Sequence, residues 1–286
     1  MTCRCAVTSK VWRDIQKLIT DFFVLEGMKV ILTSVWVATM LAWVGLTCAA
    51  EPQEMTYNVD GVQRTALIYA PATAKANPAP VVFVFHGHGG NARNAERSFH
   101  IETEWPEALV VYMQGLPTVG QLTDPKGERN GWQAAAGDNG DRDLKFFDAV
   151  LAQLKQDFKI DASHMFSTGH SNGGGFTYLL WLTRGDVLAA VAPCAAMGKY
   201  AIQLKPKPVM HIAGDKDPLV KFAWQERMMA EVRKINGCSA TGEMWDKDCT
   251  LYPSAQGTPV VAFIHSGGHI VPASAPALIV KFFKQH

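Results

Sequence analysis

The chain has 286 residues, 48% of them hydrophobic and 10% aromatic, with 27 Lys and Arg against 26 Asp and Glu. That composition excludes an intrinsically disordered chain, which is poor in aromatics and carries a large net charge. A formal net charge of +1 leaves no basic footprint, so no nucleic-acid partner is expected, and the length allows one large α/β domain or two small ones.

The first fifty residues differ from the rest. Val30 to Ala50 is a run of 21 residues without a charge, with Lys29 before it and Glu51 after it. A basic start, an apolar centre and small residues at the end form the pattern of a secretory signal peptide. Cleavage after Ala50 would leave the small residues Cys48 and Ala50 on the cleaved side. The competing reading is a retained membrane anchor, since about 20 apolar residues span a bilayer. Thr33, Ser34, Thr39 and Thr47 dilute the run and favour cleavage. Met28-Lys29 suits the start of such a signal, and residues 1–27 have no evident role. Residues 1–50 therefore read as an extension and signal, residues 51–286 as one exported domain. A secreted or periplasmic location follows, without stable membrane association once the signal is cleaved.

In that domain, Met55–Val59 and Val62–Tyr69 flank Asp60-Gly61, a strong hairpin signal. Val81–Phe85, VVFVF, is the continuous apolar run of a strand buried on both faces. Leu109–Met113 is another. Asp143–Phe158 carries Leu144, Phe147, Leu151, Leu154 and Phe158 at helical spacing. His164–Thr168 reads as a short strand leading straight into a helix that ends near Thr183. Leu188–Cys194, Pro208–Ala213 and Val260–His265 read as strands, Val220–Asn236 and Ala273–Lys284 as helices. About eight strands, antiparallel at first and then alternating with helices, define an α/β class: a mostly parallel sheet with helices on both faces. About a dozen residues separate Cys194 from Pro208, too few for a large lid.

Of the six cysteines, Cys194, Cys238 and Cys249 lie in the domain. Without a CxxC pair a structural zinc is not expected. In an exported protein Cys238 and Cys249 are expected to form a disulfide, worth about 3 kcal/mol across so short a loop. Cys194 is then a buried thiol.

Three motifs carry chemistry. Gly169-His170-Ser171-Asn172-Gly173 lies between a strand and a helix, the setting in which G-x-S-x-G exposes a nucleophilic serine on a tight turn. His86-Gly87-His88-Gly89-Gly90 follows the strand VVFVF. In the α/β-hydrolase fold that loop supplies one oxyanion N–H, assigned to His88, and the residue after the nucleophile, Asn172, supplies the other. A metal pair at His86 and His88 lacks a third ligand nearby. The fold orders its triad as Ser, acid, His. Asp215 and Asp217 follow one strand, and His265 and His269 follow the last. His265 ends the strand itself, whereas His269 follows the flexible Ser266-Gly267-Gly268. Loop position therefore favours Asp217 and His269. His211, inside a strand, reads as a packed core residue.

With these motifs the chain resembles the esterase family that includes poly(3-hydroxybutyrate) depolymerases, feruloyl esterases and acetylxylan esterases, carbohydrate esterase family one and its bacterial relatives. The resemblance spans roughly residues 55–284. It rests on His86–Gly90, on Asp143-Leu144-x-Phe146, on Gly169–Gly174, on Gly214-x-x-Asp217-x-x-Val220 and on Gly267-Gly268-His269-x-x-Pro272. It implies an α/β-hydrolase fold and selects Asp217 and His269. Ile270-Val271 and Lys221-Phe222 depart from the family's Thr-Trp and Pro-Tyr, and His88 stands where the depolymerases carry Cys or another small residue.

The expected activity is carboxylic ester hydrolysis through Ser171, His269 and Asp217, with an acyl-enzyme and no cofactor or metal. The expected partner is an ester substrate, short-chain, carbohydrate-linked feruloyl or acetyl, or polymeric. Trp132 is a candidate to stack on a sugar or phenolic ring; Trp105, Trp181 and Trp224 read as core. The polar segment Asn236–Gly257 is expected to wall the cleft. A serine peptidase and a non-catalytic binding protein on the same scaffold are the alternatives.

Overall fold

The structure is a computed structural model and describes residues 51–286. The expected signal peptide lies outside the described residues. Strands β1 (Gln53–Val59) and β2 (Val62–Tyr69) form the predicted hairpin. Asp60 and Gly61 both adopt positive φ, 51° and 82°, the combination that a two-residue turn needs to follow strand twist. After them come β3 (Ala79–Phe85), α1 (Ala92–Phe99), α2 (Ile101–Glu104), β4 (Leu109–Met113) and a small ribbon, β5 (Leu116–Pro117) with β6 (Asn130–Gly131). The remaining elements are α3 (Arg142–Asp157), β7 (Ile160–His170), α4 (Asn172–Arg184), β8 (Ala190–Cys194), β9 (Val209–Gly214), α5 (Phe222–Ile235), β10 (Glu243–Asp246), β11 (Cys249–Tyr252), β12 (Val260–His265) and α6 (Ala275–Phe283).

Among the described residues ten strands form one sheet, in the order β1-β2-β4-β3-β7-β8-β9-β12-β11-β10. The six central strands, β4 to β12, run parallel, and both edges are antiparallel. Strand β3 shows why the middle is apolar throughout. Val81, Phe83 and Phe85 pack on one face with side chains of α3, α4 and α5, while Val82 and Val84 pack on the other with α1 and α6. Parallel strands joined through helices are covered on both sides and read as unbroken hydrophobic runs.

Three expectations are corrected here. The sheet has ten strands rather than about eight, because Glu243–Asp246 and Cys249–Tyr252 form a hairpin on the edge of β12. The same hairpin separates the cysteines: Cys194, Cys238 and Cys249 are all free. Cys249 pairs with Phe263 inside the core on the α6 face, whereas Cys238 bridges Ser254 and packs against the opposite core. Ser254 lies five residues beyond Cys249, a strand distance of about 16 Å, so a bond of disulfide length has no path. The expected wall from this segment is also absent: the hairpin sits at the sheet edge, and none of its residues lines the cleft described below.

Candidate active site

All the predicted reactive residues meet at the carboxyl ends of β3, β7, β9 and β12. Strand β7 ends at His170, and α4 begins at Asn172. Ser171 between them has φ 57° and ψ −120°, a left-handed conformation uncommon for a residue with a side chain. The turn has no room for larger neighbours. A Cβ on Gly169 would lie 2.5 Å from the Gly173 carbonyl oxygen, and one on Gly173 would strike the backbone of Phe85 and His86. The elbow thus lifts the Ser171 hydroxyl clear of the sheet.

The Ser171 hydroxyl donates to Nε2 of His269 at 2.7 Å, and His269 Nδ1–H donates to Oδ2 of Asp217 at 2.7 Å. Asp217 is buried and well satisfied. Its Oδ1 accepts from the backbone N–H groups of Leu219 and Val220 at 2.8 and 3.0 Å, and Oδ2 also accepts from Gln225 Nε2 at 3.1 Å. Asp215 is exposed and has only backbone business here, donating its N–H to the His265 carbonyl at 3.0 Å. His265 holds the turn that carries His269, since its Nδ1 accepts from Gly267 N–H at 3.1 Å. A second tie, Lys216 N–H to the Gly267 carbonyl at 3.1 Å, joins the acid loop to the histidine loop. Gly214 permits that approach, because a Cβ there would collide with the carbonyls of Gly267 and Gly268.

The loop after β3 is fixed from several sides. His86 is buried: its Nδ1–H donates to Gly87 O at 2.8 Å, and its Nε2 accepts from Gly115 N–H at 2.9 Å. Desolvation pushes its pKa down to about 4, so the ring is neutral and serves as a brace. The His88 ring donates from Nε2 to Asp124 Oδ2 at 3.1 Å, pulling the loop 119–124 over the site. The backbone N–H groups of His88 and Asn172 meet no acceptor among the described residues. The Asn172 side chain is otherwise engaged, accepting from Trp132 N–H at 2.6 Å and donating to Trp132 O at 3.0 Å. His170 packs beside His269, ring centroids 4.7 Å apart; burial first, then the neighbouring imidazole, pushes it down to about 4.

Trp132 is corrected from ligand platform to core. It is 0% exposed, stacks on Phe176 at 5.2 Å, and donates Nε1–H to His86 O at 2.9 Å. The aromatic residue at the cleft is Trp224 on α5, half-buried, which the sequence assigned to the core. Trp105 and Trp181 are buried as expected. The cleft in front of Ser171 has a volume of about 420 Å3 and is walled by Val119, Leu122, Met197, Leu219 and Trp224, with Lys199 at its mouth. These residues come from three loops and a helix start, and no local pattern marks them. The connection Ala195–Pro208 holds a three-residue 3-10 turn, Ala201–Gln203, and no lid.

No group of His, Cys, Asp and Glu among the described residues has the arrangement of a metal site, and no described helix is long and apolar enough to cross a membrane. A serine on a strained elbow, hydrogen-bonded in line to a histidine and a buried carboxylate, is an arrangement that can perform acyl transfer.

No family model matches the chain. Feruloyl esterase D of Neurospora crassa is 28% identical over 233 residues, 76% of this chain and 77% of that protein. A probable feruloyl esterase C of Aspergillus niger is 26% identical over 82% of this chain and 90% of its own length. Among solved structures, an acetyl xylan esterase from Aspergillus awamori superposes with a TM-score of 0.65 at 14% identity, over 83% of this chain and all of that one. The chain has the α/β-hydrolase fold and is a carboxylic ester hydrolase. Its sequence is similar to those of the feruloyl esterases, and its fold to that of the acetyl xylan esterase.

Proposed function

We propose that residues 51–286 are an exported serine esterase that works through an acyl-enzyme on Ser171. The observation that carries this reading is the continuous hydrogen-bonded line Ser171–His269–Asp217, with 2.7 Å at each link. Ser171 Oγ attacks the ester carbonyl carbon while its proton passes to His269 Nε2. Asp217 keeps the other nitrogen protonated and stabilises the imidazolium. The N–H groups of His88 and Asn172 receive the oxyanion; one such donor contributes about 3 kcal/mol. The intermediate collapses, the ester C–O bond breaks, and His269 delivers its proton to the departing alkoxide. Water then repeats the sequence on the acyl-enzyme and frees Ser171.

The relatives' names, feruloyl and acetylxylan esterase, together with an open apolar cleft, support short or aromatic acyl groups borne by a carbohydrate or a polymer. Export is supported by the charge-free run 30–50.

The test is direct. Wild type should cleave 4-nitrophenyl acetate and butyrate and leave a peptide anilide intact, and Ser171→Ala should abolish the ester activity with an unchanged Tm. Full ester activity in Ser171→Ala, or preferred cleavage of the anilide, overturns the reading. Methyl ferulate, acetylated xylan and poly(3-hydroxybutyrate), assayed side by side, rank the substrates. N-terminal sequencing of exported protein should begin near Glu51.

A further inference from the structure

A second line of buried polar groups reaches the acid of the triad from the core, and its direction is fixed at each step. Gln225, 0% exposed, donates Nε2–H to the Val220 carbonyl at 2.7 Å and to Asp217 Oδ2 at 3.1 Å. Two acceptors on one side of the amide determine which way it faces, since only the NH2 group donates. The amide oxygen therefore points the other way, to Nε2 of His211 at 3.2 Å. An amide oxygen only accepts, so His211 carries its proton on Nε2. Its bare Nδ1 then accepts from the Tyr178 hydroxyl at 2.7 Å. His211 and Tyr178 are likewise buried. The whole line reads Tyr178 to His211 to Gln225 to Asp217, donor to acceptor, and it ends on the carboxylate oxygen that His269 also uses.

We propose that Gln225 is a positioning residue for the reaction, held by His211 and Tyr178, and that its N–H sets both the orientation and the basicity of Asp217. The proposal rests on the reading of Ser171, His269 and Asp217 as the triad. A buried carboxylate that shares its charge with a further donor attracts the imidazolium less strongly. Gln225 thereby keeps His269 from holding its proton too tightly, and it prevents Asp217 from turning away from Nδ1. The other groups around this pair are the Ser171 hydroxyl and the His170 ring beside His269, with the Cys194 thiol and His265 facing Asp217. Burial keeps His170 neutral at about 4, and it raises the Cys194 thiol out of the titrating range. Neither carries a charge near neutrality.

The experiment is the pH profile of kcat/KM on 4-nitrophenyl butyrate for wild type and Gln225→Leu. The expected result is a kcat/KM about tenfold lower, as for loss of one hydrogen bond to a charged group, with KM nearly unchanged. The acidic limb should move upward by about one pH unit. The single variant orphans His211 Nε2–H and risks misfolding. The triple variant Tyr178→Phe/His211→Leu/Gln225→Leu removes every partner together, which a buried network tolerates far better, and it should show the same two changes. A limb that stays in place in the folded triple variant, with wild-type kcat/KM, overturns the proposal. The triad reading fails separately, through an active Ser171→Ala.

Discussion

Asp217 and Asp143 are both buried carboxylates opposite a basic side chain, yet their partners differ in kind. Asp143, 0% exposed at the start of α3, accepts from Arg64 Nη2 at 2.8 Å and from Gln133 N–H at 2.9 Å. Arg64 also donates to the carbonyls of Gln114 and Arg142 and lies 4.2 Å over the Phe146 ring. Arg64 and Asp143 are both enclosed, and a guanidinium does not give up its proton. Asp217 faces instead the imidazole of His269, whose side chain is 12% exposed, and an imidazole, unlike a guanidinium, can give up a proton. The partner decides whether a buried carboxylate can only hold the scaffold together or can also serve proton transfer, the role proposed for Asp217.

Exchanging each acid tests that contrast. Asp217→Asn should lower kcat on a 4-nitrophenyl ester by about 10^4, through loss of the correct tautomer, with a modest change in KM and in Tm. Asp143→Ala should do the reverse. It strands Arg64 inside the fold and should cost about 3–5 kcal/mol of stability, while the protein that remains folded keeps its kcat. Urea titration beside initial rates separates the two. An Asp143 variant that is stable but inactive would erase the distinction.

The motifs that bring Ser171, His269 and Asp217 together are short and local, which is why that juxtaposition was legible. The collision of a Cβ on Gly169 with the Gly173 carbonyl is decided within five residues, and the choice of His269 over His265 follows from Ser266-Gly267-Gly268. VVFVF announces a central strand for the same reason. The errors fall where long-range pairing decides. Lys247-Asp248, with Asp248 at φ 59°, turns the β10–β11 hairpin without a glycine to announce it, so the segment read as a polar insertion and its cysteines as a bridge. Trp132 sits in an irregular loop, where only the approach of Phe85, Phe176 and Asn172 tells burial from exposure.

His269 and His211 repeat the contrast with imidazoles. His211 is enclosed, and desolvation pushes it down to about 4, as it does His86 and His170. In the unfolded chain these rings titrate near 6.5. Between those values the unfolded state binds more protons, so stability is complete above about pH 6.5 and is lost as pH falls toward 4. Each ring removes at most about 1.4 kcal/mol per pH unit across that window. The urea midpoint should fall steadily from pH 7 to pH 4.5, and Tyr178→Phe/His211→Leu should flatten the fall. An unchanged slope in that variant would mean that His211 is protonated in the fold.

The smallest expected effect separates the two tryptophans. Trp132 is enclosed by Phe85, His86 and Phe176 and donates to the His86 carbonyl in the loop after β3, so its ring belongs to the fold. Trp224 stands on the first turn of α5, with Lys221 Nζ 5.6 Å above its ring and the cleft beside it. It touches neither Ser171, His269 nor Asp217 through any hydrogen bond, and its ring offers bound acyl groups a flat apolar surface. Burying part of an aromatic acyl chain against such a ring contributes about 1 kcal/mol, the same in the ground state and in the transition state. Uniform binding of this kind lowers KM and leaves kcat alone. Trp224→Ala should therefore raise KM for an aromatic ester such as methyl ferulate by about fivefold at unchanged kcat, and should alter KM for 4-nitrophenyl acetate less, because an acetyl group is too short to cover the ring. Steady-state kinetics on both esters decides the matter. A fall in kcat with both would show that Trp224 supports the reacting groups and does not line the acyl path.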